Sequence, residues 1–168
     1  MGTDIKTIFV YSDWGGYSPE LMGKLYASAS RGKELISFEY KKDWIRSNSS
    51  SFVFDPNLFL FEGRQYVPAD KAIFGVFSDS CPDRWGRLLM NRKEVILARK
   101  EGRKPRALLE SDYLLGVFDE TRMGALRFSL TEGGPFLSAD NNFSVPPWTT
   151  LRALEAASLA FESADSGQ

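Results

Sequence analysis

Nine cations stand within 23 residues of this chain: Arg84, Arg87, Arg92, Lys93, Arg99, Lys100, Arg103, Lys104 and Arg106. About half of them can share one helical face opposite Trp85, Leu89 and Ile96, and such a face attracts phosphate backbones or an acidic protein surface. The same residues also read as a solvated face whose last cations complement the helix dipole. Two carboxylate pairs, Glu110 with Asp112 and Asp119 with Glu120, could work as general acid and base, although a helix start and a turn account for them as well. Cys81 beside Pro82 could be a thiolate activated at a helix N-terminus, or a capping or packing residue. The stretch GYSPELMGKL, residues 16–25, approaches a phosphate-binding loop, but Ser18 stands where its first glycine belongs and Leu25 where a magnesium-binding hydroxyl belongs. No G-x-G-x-x-G is present, and Pro135 takes an N–H donor from Gly133-Gly134-Pro135.

Composition closes further routes. The chain has 168 residues and no histidine, which excludes imidazole bases, Ser-His-Asp and Cys-His nucleophile systems and His-ligated zinc. Its single cysteine forbids an intrachain disulfide and fits a reducing cytoplasm. Charges at Asp4, Lys6 and Asp13 interrupt the first 15 residues, so no signal-peptide core is expected there, and no stretch approaches the roughly 20 apolar residues of a membrane span. Lys6 occupies the position where a myristoylation motif needs Ser or Thr. A chain of this length suits one domain or one lobe of something larger, and thirteen phenylalanines argue for a folded core.

The elements that must position these residues fall into two regions. Residues 1–80 read as an antiparallel β subdomain: the runs 7–11, 21–26 and 35–40 are short, β-branched or aromatic, and broken by Gly, Ser and Pro. Ser28 to Gly32 reads as a hairpin connection, and Leu58–Phe61 with Gln65–Val67 as a further hairpin turning at Glu62-Gly63-Arg64. Residues 81–168 read as a helical segment plus a strand, packed on the sheet as part of the same lobe. Ser80 or Cys81 can cap a helix with Pro82 in its first position; Trp85, Leu88, Leu89, Val95 and Ile96 are its apolar face, and Gly102 and Pro105 stop it. A short helix over Ser111–Leu115, a strand over Gly124–Leu130 and a last helix capped by Thr149 or Thr150, with Leu151, Leu154, Ala157 and Phe161 on one face, complete the pattern. Charge is unevenly divided: residues 1–83 hold 9 basic and 11 acidic groups, residues 84–106 hold 9 and 2, and residues 107–168 hold 3 and 9. The middle piece, at +7 between −2 and −6, marks an interaction surface or a solvated face. The expected fold is α+β, an antiparallel β bundle followed by about three helices.

The order of several motifs resembles the N-terminal part of HipA-type toxin kinases. They are Met22-Gly23-Lys24-Leu25, Ser37-Phe38-Glu39-Tyr40 with Asp43-Trp44-Ile45, the run from Phe74 to Gly86 (FGVFSDSCPDRWG), Ser111 to Gly116 (SDYLLG) and Met123-Gly124-Ala125-Leu126. The resemblance covers roughly residues 8 to 161. It implies a bacterial toxin–antitoxin module whose toxin is a two-lobed serine/threonine kinase and whose antitoxin is a small helix-turn-helix DNA-binding protein. In that family the β-rich N-terminal region serves antitoxin contact, while ATP and Mg²⁺ are held by a Gly-rich loop and catalytic residues further along. The chain reaches only the position where that loop would follow, so no catalytic, cofactor or metal residue is carried onto it, and no kinase activity is expected of it alone. Lys71 in Asp70-Lys71-Ala72 lacks the Val-Ala-Ile-Lys order of the kinase lysine. The expected partners are the helix-turn-helix antitoxin or a kinase core, with DNA reached through the complex, and the expected contacts are Arg84, Arg87, Arg92, Lys93, Arg99, Lys100 and Arg103. Two other readings stay open: a short regulator or antitoxin of a separate kinase, and a nucleic-acid-binding module.

Overall fold

The computed structural model describes residues 5–14, 18–30, 32–48, 53–119, 122 and 124–137. Its elements are β1 (Ile5–Ser12), β2 (Glu20–Ser30), β3 (Lys33–Tyr40), α1 (Lys42–Asn48), β4 (Arg64–Tyr66), α2 (Gly75–Ser78), α3 (Arg84–Lys100), α4 (Glu110–Leu115) and β5 (Leu126–Ser129). Five strands form one antiparallel sheet in the order β4-β3-β2-β1-β5. The fold is α+β. The last predicted helix, over 149–161, lies outside the described residues.

Alternation builds the sheet. Ile8 and Val10 of β1, Leu25 and Ala27 of β2, and Ile36, Phe38 and Tyr40 of β3 point to one buried face, as a period of two requires, and Met22 joins the same core where the β1–β2 register shifts between Val10 and Tyr11. Phe9, Lys24 and Glu39 stand side by side on the other face, through the pairs Phe9↔Lys24 and Lys24↔Glu39. The β2–β3 pairing continues to Ser30↔Lys33, and Gly32 at φ 77° makes the tight connection that a side chain would resist. At Gly23 the strands come so close that a Cβ would lie 2.4 Å from the Glu39 carbonyl oxygen and 2.5 Å from a Phe38 ring carbon.

The helices cover the buried face. Trp44 of α1 stacks on Tyr40, with ring centroids 5.4 Å apart, and its indole N–H donates to Ser12 Oγ at 3.2 Å, so a large aromatic is buried with its one donor satisfied. Phe74 and Phe77 around α2 meet Phe38 and Phe128 in the same core. The buried Asp55 carboxylate accepts from the Asn57 and Val76 N–H groups, which fixes the 53–58 loop to the first turn of α2. Arg122 is a partly buried staple. Its guanidinium donates to the carbonyls of Ser80, Leu114 and Val117 at 2.7, 3.0 and 3.0 Å and lies over the Phe128 ring, and burial lowers its pKa to about 10.

Several expectations are corrected. Leu58–Phe61 is not a strand of the sheet; Leu58 is bridged only to Asp55, and β4 alone completes that edge. α3 is capped by Asp83, whose carboxylate accepts from the Gly86 N–H at 2.7 Å, and not by Ser80 or Cys81. Ser80 and Cys81 belong instead to the turn that ends α2, where their N–H groups donate to the Phe77 and Ser78 carbonyls and the Ser80 hydroxyl donates to the Val76 carbonyl, and Pro82 lies outside the helix. The face α3 buries is Gly86, Met90, Glu94 and Ala98, while Trp85, Leu88, Val95 and Ile96 are exposed. Trp85 is therefore no anchor on the sheet. Met90 joins a small second cluster with Leu108 and Tyr113.

Candidate partner-binding face

Eight of the nine cations of residues 84–106 separate into two sets. Arg87 makes a bidentate pair with Glu110 at 2.7 and 2.8 Å and lies over the Tyr113 ring, 4.5 Å from its centroid. Arg103 folds back to Glu94 at 2.5 Å and to Glu101 at 2.6 Å, and Arg106 binds Asp112 at 2.7 Å. These three hold the chain after α3 against the helix. Hydrogen bonds from Arg103 and from the Arg106 N–H hold the Glu94 carboxyl down at about 2. Arg84, Lys93, Arg99, Lys100 and Lys104 make no ion pair with a described residue, and all but Lys93 are exposed.

A cation face opposite Trp85, Leu89 and Ile96 does not form. At 100° per residue, Arg84, Arg92 and Arg99 lie on the same side of α3 as Trp85, Leu88, Val95 and Ile96, and that side faces solvent. Trp85 is 56% exposed. At the N-terminal end of this stripe an open cleft of about 550 Å³ is lined by Arg84, Trp85, Arg87, Leu88, Asn91 and Tyr113. The Asn91 amide donates to the Tyr113 hydroxyl at 2.9 Å, which sets the floor of the cleft. Exposed tryptophan among arginines is the composition that carries binding energy at protein interfaces. Sequence periodicity found this apolar stripe but placed it on the wrong side.

The other chemistry-bearing groups are occupied in the fold. Glu110 is taken by Arg87, Asp112 by Arg106 and Lys6, and Asp119 by Arg127, so none of these carboxylates is poised as an acid–base pair; Glu120 lies outside the described residues. Burial pushes the Cys81 thiol up to about 12, with Glu110 adding to the shift, so it is no activated nucleophile. Sequence reading missed a Ser–Lys contact. Ser111 Oγ accepts from Lys6 Nζ at 2.9 Å and donates to Glu34 at 2.6 Å, a grouping that nucleophilic catalysis also uses. Ser111 is fully buried and Asp112 holds the Lys6 ammonium at 3.0 Å, so the cluster ties α4 to β1 and β3 and offers no attacking group. Partners more than 75 residues apart in sequence leave no local signal to find it by. Among the described residues no three His, Cys, Asp or Glu side chains gather as a metal site, and no helix is long and apolar enough to cross a membrane. Comparison of the chain with protein families, with curated proteins and with solved structures found no match.

Proposed function

We propose that this chain is the non-catalytic N-terminal portion of a HipA-like toxin kinase and that it contacts a protein partner, a helix-turn-helix antitoxin or the kinase core, through the outer face of α3. The order of motifs from Met22 to Leu126 and the antiparallel sheet with helices on one face support the reading. The observation that carries it is the exposed stripe of Trp85, Leu88, Val95 and Ile96 set among Arg84, Arg92 and Arg99. A solvated helix face has no use for four large apolar side chains in a row.

Calorimetric titration of the chain with a purified HipA-type kinase core, and separately with the helix-turn-helix antitoxin of a HipA-type module, tests the reading. Binding by either is expected, weakened at least tenfold by Trp85→Ala with Arg99→Glu. No heat with either protein, or binding indifferent to both substitutions, overturns it. The regulator reading predicts the same contact but with a separately encoded kinase. ATP with Mg²⁺ is expected to leave the melting temperature of the chain unchanged, because a ligand at 100 times its Kd would add about 2.7 kcal/mol.

A further inference from the structure

β3 is paired along its whole length on one side only. β2 accompanies it from Lys33 to Tyr40, whereas β4, on the other side, pairs with Ser37, Phe38 and Glu39 alone. The Val67 N–H still donates to the Ile36 carbonyl at 3.3 Å, and then the chain turns away through Pro68–Lys71, where the Lys71 N–H donates to the Pro68 carbonyl at 3.0 Å. Pro68 has no N–H with which to continue the ladder. In an antiparallel strand each residue presents its N–H and its carbonyl to the same side, and alternate residues share that side. The Val67–Ile36 bond therefore places the backbone groups of Ile36 and Glu34 on the edge that β4 leaves open. Among the described residues no group pairs with the Ile36 N–H or with the Glu34 N–H and carbonyl on that edge.

The edge is held in place from below. The Glu34 carboxylate accepts from the Ser111 N–H at 2.9 Å and from its hydroxyl at 2.6 Å, so α4 pins the strand at the residue whose backbone is open. Beside it lies an open cleft of about 440 Å³, lined by residues 33–36, by Val67, Pro68 and Lys71, and by Leu108 and Leu109. Its far wall is mostly apolar. Its carboxylates are engaged, Glu34 by Ser111 and Glu110 by Arg87, while Lys33 and Lys71 are exposed and make no ion pair with a described residue. The charge left for a ligand is positive.

We propose that Lys33–Ile36 of β3 binds an extended segment of a partner protein as an added strand, its apolar side chains meeting Val67 and Leu108 and its acidic ones Lys33 and Lys71. Main-chain bonds to Glu34 and Ile36 supply affinity and the cleft supplies selection, as in other recognition by strand addition. A second copy of the chain fits poorly, because it would bring Lys33 and Lys71 to a cleft whose free charges are already cations. The surface differs from the outer stripe of α3, and the proposal does not depend on the kinase reading.

Amide exchange and chemical shifts of the full chain, titrated with the blocked peptide acetyl-Glu-Val-Thr-Val-Glu-amide to millimolar concentration, test this. In the free chain the Glu34 and Ile36 amides are expected to exchange at least tenfold faster than that of Phe38, which lies opposite Gln65. The peptide should shift both and slow them at least tenfold, whereas the same peptide N-methylated throughout its backbone should do neither. Lys33→Glu with Lys71→Glu should weaken binding at least tenfold and leave the amides of β1 and β2 unshifted, and exchanging the peptide's glutamates for lysines should restore it. No shift at Glu34 and Ile36, or equal effects of the methylated peptide, overturns the proposal. Protection of both amides in the free chain also overturns it: at every concentration it would mark another segment of this chain as the occupant, and only at high concentration a second copy. Should the doubly substituted chain not fold, the methylated peptide decides alone. None of these readouts involves Trp85 or Arg99, so a failure here is separate from a failure of the α3 contact.

Discussion

The Arg103 guanidinium sits 2.5 Å from the Glu94 carboxylate, nine residues back along the chain, and the Glu94 side chain is 1% exposed. A carboxylate thus occupies the buried face of α3, and the basic block supplies its counter-ion from beyond the helix end. The Arg106 N–H adds a third hydrogen bond to the same carboxylate at 3.0 Å. Glu94→Ala removes all three hydrogen bonds, two from Arg103 and one from the Arg106 N–H, at once. Amide hydrogen exchange at Arg106 is expected to rise by at least tenfold in that variant, while the β1–β3 amides keep their protection; an unchanged Arg106 rate would show that the loop is held by other contacts.

Trp85 and Trp44 should respond in opposite ways to truncation. Trp44→Ala removes a fully buried ring stacked on Tyr40 and is expected to cost about 3–5 kcal/mol. Trp85→Ala should move the global denaturant midpoint by no more than about 0.5 kcal/mol, as exposed substitutions do. A midpoint for Trp85→Ala as low as that of Trp44→Ala would mean that the ring is packed in solution.

This contrast shows where the sequence was legible. The strands β1 to β3 announced themselves because each buries one face against a core, so alternation in the text is alternation in space. α4 and β5 were legible for related reasons, short apolar runs between turn signals. α1 and α2, at 7 and 4 residues, are too short for a 3.6-residue period to show. α3 was found as a helix but read inside out. Its buried face is made of two small residues, one methionine and a glutamate, a pattern that looks polar until Arg103 is known to return to Glu94. Which side of a helix is buried depends on what the rest of the chain brings to it. The same holds for the candidate site: the nine cations were legible, yet the pairings of Arg87, Arg103 and Arg106 depend on Glu110, Glu94 and Asp112 reaching them in space.

Asp112 gives the fold an acid limit. Burial opposes its ionisation, but hydrogen bonds from Arg106, the Leu109 N–H and Lys6 outweigh this and lower its pKa to about 2 from the model-peptide 3.8. A carboxyl depressed in the folded state stabilises above its unfolded pKa and loses that contribution as pH falls through the folded value. The stability from Asp112 is therefore present above about pH 4 and lost toward pH 2, on the order of 2 kcal/mol in full. Asp112→Asn is expected to lower stability at pH 7 by a similar amount and to flatten the loss between pH 4 and 2. Urea midpoints for both proteins across that range check it, and parallel curves would refute it.

Gly23 and Gly116 should resist a methyl group for steric reasons alone. A Cβ on Gly23 would strike the Glu39 carbonyl oxygen and the Phe38 ring, and one on Gly116 would fall 2.2 Å from Met90 Cε. The first obstacle is partly backbone, whereas the second is the end of a flexible side chain. Gly23→Ala is accordingly expected to cost more than Gly116→Ala, about 1–3 kcal/mol against less than about 1.5. Thermal midpoints in the reverse order would contradict the close approach of β2 and β3.

The nucleic-acid reading of the basic block makes the opposite prediction from protein contact. Duplex binding through residues 84–106 would weaken with salt, log K falling by about 0.9 for each phosphate contact in a plot against log salt. Arg87, Arg103 and Arg106 are paired with carboxylates in the fold, and Arg84, Lys93, Arg99, Lys100 and Lys104 are spread over both sides of α3 and the loop beyond it. The exposed stripe interleaves arginines with Trp85, Leu88, Val95 and Ile96, side chains that gain nothing from a phosphate backbone. The chain as a whole carries −1, so no long-range attraction assists. We therefore expect no measurable duplex binding by the chain at about 50 mM salt, where the Debye length of roughly 14 Å favours weak electrostatic association. The variant with Arg84, Lys93, Arg99 and Lys100 replaced by Gln should give the same flat titration. Wild-type binding with a salt slope of three or more contacts, abolished in that variant, would instead establish the basic block as a nucleic-acid interface and displace protein contact as the role of α3.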